Sequence, residues 1–285
     1  METKRNVNKI GIVSNIKRDE NYTYTRSVVE FLKAKGITIT LNSEFDGFID
    51  INDFASFSTE DTLKETEALI VLGGDGTMLQ AAAHAALMDI PLLGINTGDI
   101  GYVTDAEKHD GLEAIGRFLD GDYTLDSRSM LRGLLDENEE NILALNEICV
   151  SRPTPTLMVR LTVDVNGANV ADYKCDGVLI STPTGSTAYN LAAGGPLLPP
   201  QTSAFVITPV CPHSLHHRPI VVSDTDVITI KLGDGAVVAS VLADGVSCGE
   251  ITSTSKIVIR KALEKTKLIN TTNLSFYDRL RIKIK

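Results

Sequence analysis

The sequence predicts an α/β domain built on a parallel sheet, followed by a mostly β domain. In the first part of the chain, apolar runs typical of buried strands alternate with segments of helical periodicity. This β-α-β-α order favours parallel strands with helices packed against them. After about Tyr123 the helical periodicity almost vanishes and strand-like runs dominate. We therefore expect an α/β domain over residues 1–122, a mostly β domain over 123–260, and a tail, 261–285, that packs back onto the first domain.

The elements of the first domain follow from apolar patterning. A continuous apolar run is expected of a strand covered on both faces. A helix is predicted where apolar residues recur on one side of a segment, or where Ala, Leu and Met accumulate. Gly36 ends the first predicted helix. Such an alternation predicts a Rossmann-like parallel sheet. The predicted strands are 9–15, 37–41, 68–72 and 91–95, and the predicted helices are 24–35, 77–88 and 111–119.

The second domain is predicted from short β-branched segments and one strong turn signal. Residues 157–165 alternate β-branched and polar side chains, and Asn166-Gly167 directly after them predicts a hairpin. One helix is expected as an insertion near 186–193. The further predicted strands are 178–180, 205–207, 227–232 and 237–242.

Composition and charge argue against several classes of function. The 285 residues are 43% hydrophobic and 22% charged, which suffices for a buried core without disulfides or a structural metal. The formal net charge of −10 argues against broad binding of nucleic acid or of an anionic membrane. No segment has the pattern of a membrane span or of a signal peptide. The four cysteines are widely spaced, which favours free thiols in a reducing compartment, so we expect a cytoplasmic protein.

The sharpest local signal is the run Gly73-Gly74-Asp75-Gly76-Thr77, between a predicted buried strand and a predicted helix. Glycines let the backbone turn tightly and approach a ligand, and the free N–H groups at a helix start favour phosphate. Asp75 is a candidate to accept a proton from a hydroxyl or to help hold a divalent cation. The alternative is a tight turn with a solvated aspartate. We favour a ligand site because the run follows the carboxyl end of a parallel strand, where such sheets bind ligands.

A second polar cluster spans 176–196, where a strand leads into a run of hydroxyl side chains and a short helix that ends at a double glycine. Hydroxyl groups and free N–H groups at a helix start suit ribose and phosphate oxygens, and Tyr189 is able to stack on a base. Helix capping is the alternative, with Ser or Thr at the start and Gly194 at the end. Capping accounts for one or two of these residues and not for the whole polar run.

Three histidines, His213, His216 and His217, have the spacing that places side chains on one helix face. No Glu or Asp completes a zinc motif there, so we expect surface or packing histidines and no metal site.

These motifs together closely resemble those of the NAD kinase family. GGDGT at 73–77 is followed by LNE at 145–147, DGVLISTPTGSTAYNLAAGGP at 176–196 and PHSLHHRP at 212–219. The order and spacing match the family over nearly the whole chain, as far as Asp244-Gly245. GGDG alone is shared with diacylglycerol and sphingosine kinases and with phosphofructokinases, whereas the TPTGSTAY run distinguishes NAD kinases from them.

The resemblance implies a reaction and a set of site residues. The implied reaction is phosphorylation of the adenosine 2′-hydroxyl of NAD to make NADP, with ATP or polyphosphate as donor and Mg²⁺ or another divalent cation. It implies that Asp75 is the general base, that Gly73 and Gly74 accommodate the donor and that Gly76 lies beside the nicotinamide nucleotide. A homodimer or homotetramer is also implied, in which a neighbouring subunit contributes to the dinucleotide site. The residues implied to line that site are Asn146, Glu147, Lys174, Asp176, Thr187, Ala188, Tyr189, Asn190, Leu191 and Ala192.

Two departures from the family and two other functions bear on this prediction. Val246 stands where many relatives carry Gln, and Leu157 is apolar near the position of another nucleotide contact. One alternative is a non-catalytic NAD or NADP sensor, against which the intact Asp75 counts. The other is a GGDG-type lipid kinase, against which the acidic net charge and the second polar cluster count.

Overall fold

The computed structural model describes residues 7–41, 55–56, 65–98, 101–135, 141–154, 157–272 and 274–283. The strands are β1 Lys9–Ser14, β2 Thr38–Leu41, β3 Ala55–Ser56, β4 Ala68–Gly73, β5 Leu92–Asn96, β6 Ala106–Glu107, β7 Thr124–Leu135, β8 Asn141–Ala144, β9 Glu147–Ser151, β10 Val159–Val165, β11 Ala168–Cys175, β12 Gly177–Ser181, β13 Ala204–Val210, β14 Ile220–Ser223, β15 Ile228–Leu232, β16 Val238–Ala243, β17 Val246–Thr252 and β18 Lys256–Asn270. The α-helices are α1 Thr23–Ala34, α2 Asp75–Leu87, α3 Gly111–Leu119, α4 Tyr189–Ala192 and α5 Phe276–Lys283. Short 3-10 helices occur at Ile16–Arg18, Glu20–Tyr22 and Gly185–Thr187.

The chain divides into two compact units. The first contains Met1–Ser127 together with Thr266–Lys285, and the second contains Arg128–Lys265. The second unit is therefore an insertion within the polypeptide of the first. Residues 273, 284 and 285 of the predicted C-terminal tail lie outside the described residues.

The first unit has a parallel sheet with the strand order β5-β4-β1-β2-β3. Helix α1 connects β1 to the parallel β2, and α2 connects β4 to the parallel β5. After β1 the chain adds β2 and β3 on one side of β1, and β4 then pairs with β1 on its other side. The strand order therefore reverses between β1 and β4, and such a reversal opens a crevice beyond the carboxyl ends of the two strands.

Apolar burial explains the layers of the first unit. Every residue of β4 and of β5 is buried, as the continuous apolar runs predict for strands covered on both faces. The core combines these strands with the inner faces of α1 and α3, including Phe118 at 2% exposure. Ile269, from the C-terminal segment, belongs to the same core and is 1% exposed.

The second unit is built from antiparallel strands. One sheet contains the order β11-β10-β15-β18, with β7 beside β18 and β8 beside β7, and the other has the order β14-β13-β12-β9-β16-β17. Asn166 and Gly167, with φ of 50° and 82°, form the turn between β10 and β11, as the hairpin signal predicts. A separate apolar core fills this unit, with Phe205 fully buried.

The predicted fold class is confirmed, and the differences are local. The helix predicted near 186–193 is divided into the 3-10 turn Gly185–Thr187 and the single turn α4. Residues 211–219 contain bends and turns and no helix, so the helix-face spacing of the three histidines does not apply there. His217 instead packs edge-on against Tyr173, with ring centroids 4.8 Å apart. Among the described residues, no helix is long and apolar enough to span a membrane.

Candidate active site

The carboxyl ends of β1 and β4 open onto a cleft of about 340 Å³ in the first unit. This is the position at which the strand order reverses, so topology and cavity coincide. The cleft is lined by polar side chains and by the glycine run. Its lining residues are Asn15, Arg18, Gly74, Asp75, Gly76, Thr77 and Gln80.

Asp75 is the first residue of α2, and its carboxylate is held by a second loop. The backbone N–H of Tyr102 donates to Asp75 Oδ2 over 2.8 Å, and that of Val103 donates to Oδ1 over 3.0 Å. Each oxygen of a carboxylate offers two acceptor positions, so each keeps one for a further partner. The side chain is thus oriented by fixed amides and is still able to accept a hydrogen bond at the cleft.

The glycine at 73 is required by the close packing of the strand-to-helix turn. A Cβ built on Gly73 would collide with the side chain of Thr77, which is itself 8% exposed. Gly74 is the N-cap of α2, and its carbonyl accepts from the N–H groups of Thr77 and Met78. The amides at the start of α2 have no partner within the helix, and the positive end of the helix dipole faces the same region. This end of the helix therefore favours an anion.

Arg18 brings a positive side chain to this cleft. Its guanidinium lies against Gly98, where a Cβ would collide with it, and 3.8 Å from the position of a Cβ at Gly74. Among the described residues, no carboxylate forms an ion pair with Arg18. The guanidinium is exposed, so its five donors are available to an anion that enters the cleft.

A different set of polar groups is ordered in the second unit by the β16–β17 hairpin. Asp244 and Gly245 occupy its turn with φ of 48° and 81°. The Asp244 carboxylate accepts from the N–H groups of Leu145 and Asn146, each over 2.8 Å, and from that of Glu147 over 3.0 Å. The backbone of the Leu145–Glu147 stretch is therefore fixed by three hydrogen bonds to one carboxylate.

Asn146 and Glu147 each present a buried polar atom that bears on ligand binding. Asn146 is 6% exposed and Glu147 is 8% exposed. Neither Asn146 Oδ1 nor Glu147 Oε2 has a hydrogen-bond partner in the part of the chain that the structure describes. Burial, and secondarily the charge of Asp244, raises the pKa of Glu147 to about 7. Buried polar atoms are rarely left unpaired without a reason, and a ligand that donates to both would satisfy them.

Tyr189 lies close to two carboxylates of the same unit. Partial burial raises the pKa of its phenol, and the neighbouring Cys149 and Cys211 and the charges of Asp176 and Glu147 raise it further. The ring is 47% exposed, so one face remains accessible. The second unit thus brings Tyr189 close to Asp176 and Glu147, beside the buried oxygens Asn146 Oδ1 and Glu147 Oε2.

Comparison with known proteins identifies the family to which these features belong. Residues 10–123 match the ATP-NAD kinase N-terminal domain, and residues 145–271 match the ATP-NAD kinase C-terminal domain. The chain is 35% identical over 287 residues to an NAD kinase of Lachnoclostridium phytofermentans, a match that covers 96% of this chain and 98% of the relative. The chain belongs to the NAD kinase family. An NAD kinase of Bacteroides fragilis is 34% identical over 284 residues, with 97% of both chains covered.

Two solved structures of related kinases share the fold. Yeast NADH kinase, complexed with NADH, has a TM-score of 0.87 at 20% identity and covers 99% of this chain and 88% of that one. An NAD kinase from Archaeoglobus fulgidus, in complex with ATP, has a TM-score of 0.73 at 24% identity and covers 97% of each chain. At these identities the similarity establishes the fold of an NAD kinase and no individual contact.

The residues that the family resemblance implies differ in their surroundings. Asp176 forms an ion pair with Arg152 over 3.1 Å and is partly exposed. Asn190 is fully buried, and its amide bonds to Ser186, Pro196 and Thr208 within the protein. The hydrogen bonds of its side chain therefore stabilise the turn. Thr187, Ala188, Leu191 and Ala192 are exposed or partly exposed around that turn, and Lys174, on β11, is exposed.

Several contributors were not found from the sequence. Arg18 stands in a stretch without a motif, and the amides of Tyr102 and Val103 carry no sequence signal because any residue provides an N–H. Asp244 is part of the family match, but its three bonds to the Leu145–Glu147 stretch connect residues about a hundred positions apart. Val246 is 57% exposed and Leu157 is 74% exposed, so neither departure disturbs the core.

Proposed function

We propose that the chain is an NAD kinase, which transfers the terminal phosphoryl group of ATP to the 2′-hydroxyl of the adenosine ribose of NAD. The product is NADP. The observation that carries this proposal is the match to both domains of the NAD kinase family, in order, over residues 10–123 and 145–271. The lipid-kinase alternative is set aside because that match extends through the second unit.

In the proposed mechanism Asp75 is the general base. Its carboxylate accepts the proton of the 2′-hydroxyl as the oxygen attacks the terminal phosphorus in line with the leaving group. The amides of Tyr102 and Val103 support this role, since they leave one acceptor position on each oxygen and fix its direction. Most of the rate enhancement is expected from positioning and charge neutralisation, with a contribution from the base on the order of 10²–10⁴-fold.

The donor phosphates are proposed to bind over Gly73 and Gly74, at the positive end of α2. The free amides of the helix start and the exposed guanidinium of Arg18 both favour a polyanion there. Magnesium prefers oxygen ligands and is often held by one or two carboxylates together with substrate phosphates. Asp75 and Gln80 supply protein oxygens in this cleft, which fits Mg²⁺ or another divalent cation. Such an ion would neutralise charge on the phosphates.

The dinucleotide is proposed to bind through the polar groups of the second unit. Asn146 Oδ1 and Glu147 Oε2 are oriented acceptors that the hydroxyl or amino donors of an adenosine satisfy. Tyr189 offers an exposed ring face for stacking on a base. Gly76 is proposed to lie beside the nicotinamide nucleotide. The other proposed dinucleotide-site residues are Lys174, Asp176, Thr187, Ala188, Asn190, Leu191 and Ala192.

Assembly and location are proposed on the family resemblance. We propose a homodimer or homotetramer and a cytoplasmic location. The described cysteines are all free thiols, as expected in a reducing compartment.

The decisive experiment compares NADP formation by the wild type and by Asp75→Asn, with NAD, ATP and Mg²⁺. We expect the substitution to lower kcat by about 10²–10⁴-fold with little change in NAD binding. Asp89→Asn is the matched control, because Asp89 follows the opposite end of the same helix and its side chain is 73% exposed.

Each outcome separates the candidate functions. A normal turnover in Asp75→Asn would refute the general-base role while leaving the kinase intact. If the wild type makes no NADP, the assay is repeated with polyphosphate, which tests the alternative donor. Tight NAD binding with no turnover from either donor would identify the non-catalytic sensor instead.

A further inference from the structure

The loop that holds Asp75 is itself held from the other side. Its residues Gly101–Asp105 lead into β6, and Tyr102 and Val103 donate their amides to Asp75. A Cβ built on Gly101 would collide with Thr104 and come within 3.0 Å of Asp75 Oδ1. The loop backbone therefore lies directly against the carboxylate, and its position determines where that carboxylate points.

Arg279, on helix α5 near the C-terminus, fastens the end of this loop. Its Nη1 donates to the carbonyl of Thr104 over 2.6 Å, and its Nη2 donates to Asp105 Oδ1 over 3.1 Å. The Asp105 side chain is 2% exposed and that of Arg279 is 15% exposed, so the pair is largely removed from water. The two acceptors directly follow the two residues whose amides hold Asp75.

The chain before α5 completes the attachment of the loop. Asp105 Oδ2 accepts from the backbone N–H of Thr271 over 2.8 Å and from its hydroxyl over 2.5 Å. Asp105 Oδ1 also accepts from the hydroxyl of Thr272 over 3.0 Å, and Arg279 Nη2 contacts that same hydroxyl. These four donors to the Asp105 carboxylate thus all come from residues after position 270.

We infer that Arg279 is a positioning residue for Asp75, which it orients through the Gly101–Asp105 loop. This rests on the proposed kinase function. Removal of the guanidinium would leave Asp105 as a buried charge without its cation, and the loop would shift to give that carboxylate new partners. The amides of Tyr102 and Val103 would move with the loop. A displacement of about 1 Å at a reacting group costs on the order of 10²-fold in rate.

The test compares Arg279→Met with Arg281→Met as a matched control. Arg281 lies on the same helix, has a side chain that is 80% exposed, and among the described residues it bonds Asp278 on its own helix. For Arg279→Met we expect kcat per folded molecule to fall about 10- to 100-fold, with the KM values for NAD and ATP within about twofold of the wild type. Arg279→Lys is expected to restore part of kcat, because an ammonium replaces the charge but not the planar fork. Arg281→Met should retain the wild-type kcat.

Two further measurements distinguish positioning from a structural role. A double-mutant cycle with Asp75→Asn should show that Arg279→Met lowers kcat much less when Asp75 is already changed, and full additivity would overturn the inference. So would an unchanged kcat in Arg279→Met accompanied only by a lower Tm. If that variant does not fold, Asp105→Asn carries the same test, since an amide has one acceptor oxygen where the carboxylate uses two, and an unchanged kcat would overturn the inference.

Hydrogen exchange separates this inference from the kinase function itself. Peptides that cover residues 101–105 should exchange faster in Arg279→Met than in the wild type, with other regions of the protein unchanged. Wild-type protein that makes no NADP from either donor would refute the proposed function, while faster exchange at 101–105 would still support the link between Arg279 and the loop. Unchanged exchange at 101–105 in a folded Arg279→Met variant would refute the link itself.

Discussion

Glu147 is almost completely buried, and one of its carboxyl oxygens has no partner among the described residues, so its negative charge is costly without a ligand. Burial and the nearby Asp244 raise the pKa of Glu147 from 4.5 to about 7. A group whose pKa is raised on folding contributes stability that is complete below the pKa of the unfolded chain. That contribution is lost as the pH rises through about 7. The unliganded protein should therefore become less stable between pH 5 and pH 8 on account of this residue.

Glu147→Gln tests this prediction, because an amide cannot ionise. We expect the variant to gain stability relative to the wild type on going from pH 5 to pH 8, by about 2–3 kcal/mol for a shift of this size. Urea unfolding of both proteins without NAD, at each pH, measures the difference. Glu250→Gln, at an exposed position of β17, is the control and should show no such trend. If the difference in the free energy of unfolding between Glu147→Gln and the wild type did not change with pH, the raised pKa of Glu147 would be contradicted.

At the scale of single residues, the sequence is informative where chemistry requires a particular residue type. Gly73 and Asp75 are recognisable because the tight turn excludes a Cβ and the proposed general base has to be a carboxylate. Arg18 and Arg279 were not recognisable, because the contacts on which their proposed roles rest are with residues distant along the chain. Nothing in their immediate sequence distinguishes them from ordinary surface arginines.

The segment between β1 and α1 contains a 3-10 turn that places Arg18 at the cleft. Asn15 caps the 3-10 turn Ile16–Arg18, with its side-chain oxygen accepting from Lys17 N–H over 3.2 Å. On the other side the buried Asp19 accepts from the N–H groups of Tyr24 and Thr25 at the start of α1. The backbone of Arg18 is thus held at both ends, which lowers the entropy lost when its guanidinium binds an anion.

Replacement of this side chain should weaken donor binding selectively. For Arg18→Met we expect the KM for ATP to rise about 10-fold or more, as removal of a charge-assisted hydrogen bond costs roughly 1.5–3 kcal/mol, while the KM for NAD stays within about twofold. Lys17→Met, at the exposed neighbouring position, is the matched control. Steady-state kinetics with each substrate varied in turn would measure both constants. Equal effects of the two substitutions would show that only general surface charge is involved.

Elements were predictable where the apolar pattern is strong and local. The predicted helix 111–119 is α3, and the continuous run 68–72 lies within β4. Strand β18 was not predicted as one element, because Lys256–Asn270 alternates charged and apolar residues over 15 positions and continues past the boundary drawn at 260. Its length arises because it pairs with β15 at one end and with β5 at the other. Such non-local pairing cannot be predicted from a short stretch of sequence.

For the whole molecule, the main consequence is that one unit is inserted in the other. Among the described residues, the buried core of the second unit is made of residues between 128 and 265. The core of the first unit includes Ile269, which follows the inserted segment in the sequence. Strands β7 and β18 are neighbours in one sheet, and Arg132 and Glu264 on them form an ion pair with Nη2 and Oε2 2.5 Å apart. The two ends of the inserted segment are therefore close together, as insertion of a domain requires.

The second unit should consequently fold without the first. We expect a fragment of residues 128–265 to unfold cooperatively in urea and to give a β-type circular dichroism spectrum, because its core and its sheet pairings are internal. A shorter fragment, 128–255, is the control: it lacks β18 and with it Ile257 and Ile259, both fully buried, so it should not fold. Residues 1–127 alone should fail as well, since Ile269 and the Thr271 bonds to Asp105 are missing. A fragment 128–265 without a cooperative transition would show that the two units fold only as one, and the stability of either could then not be assigned to its own core.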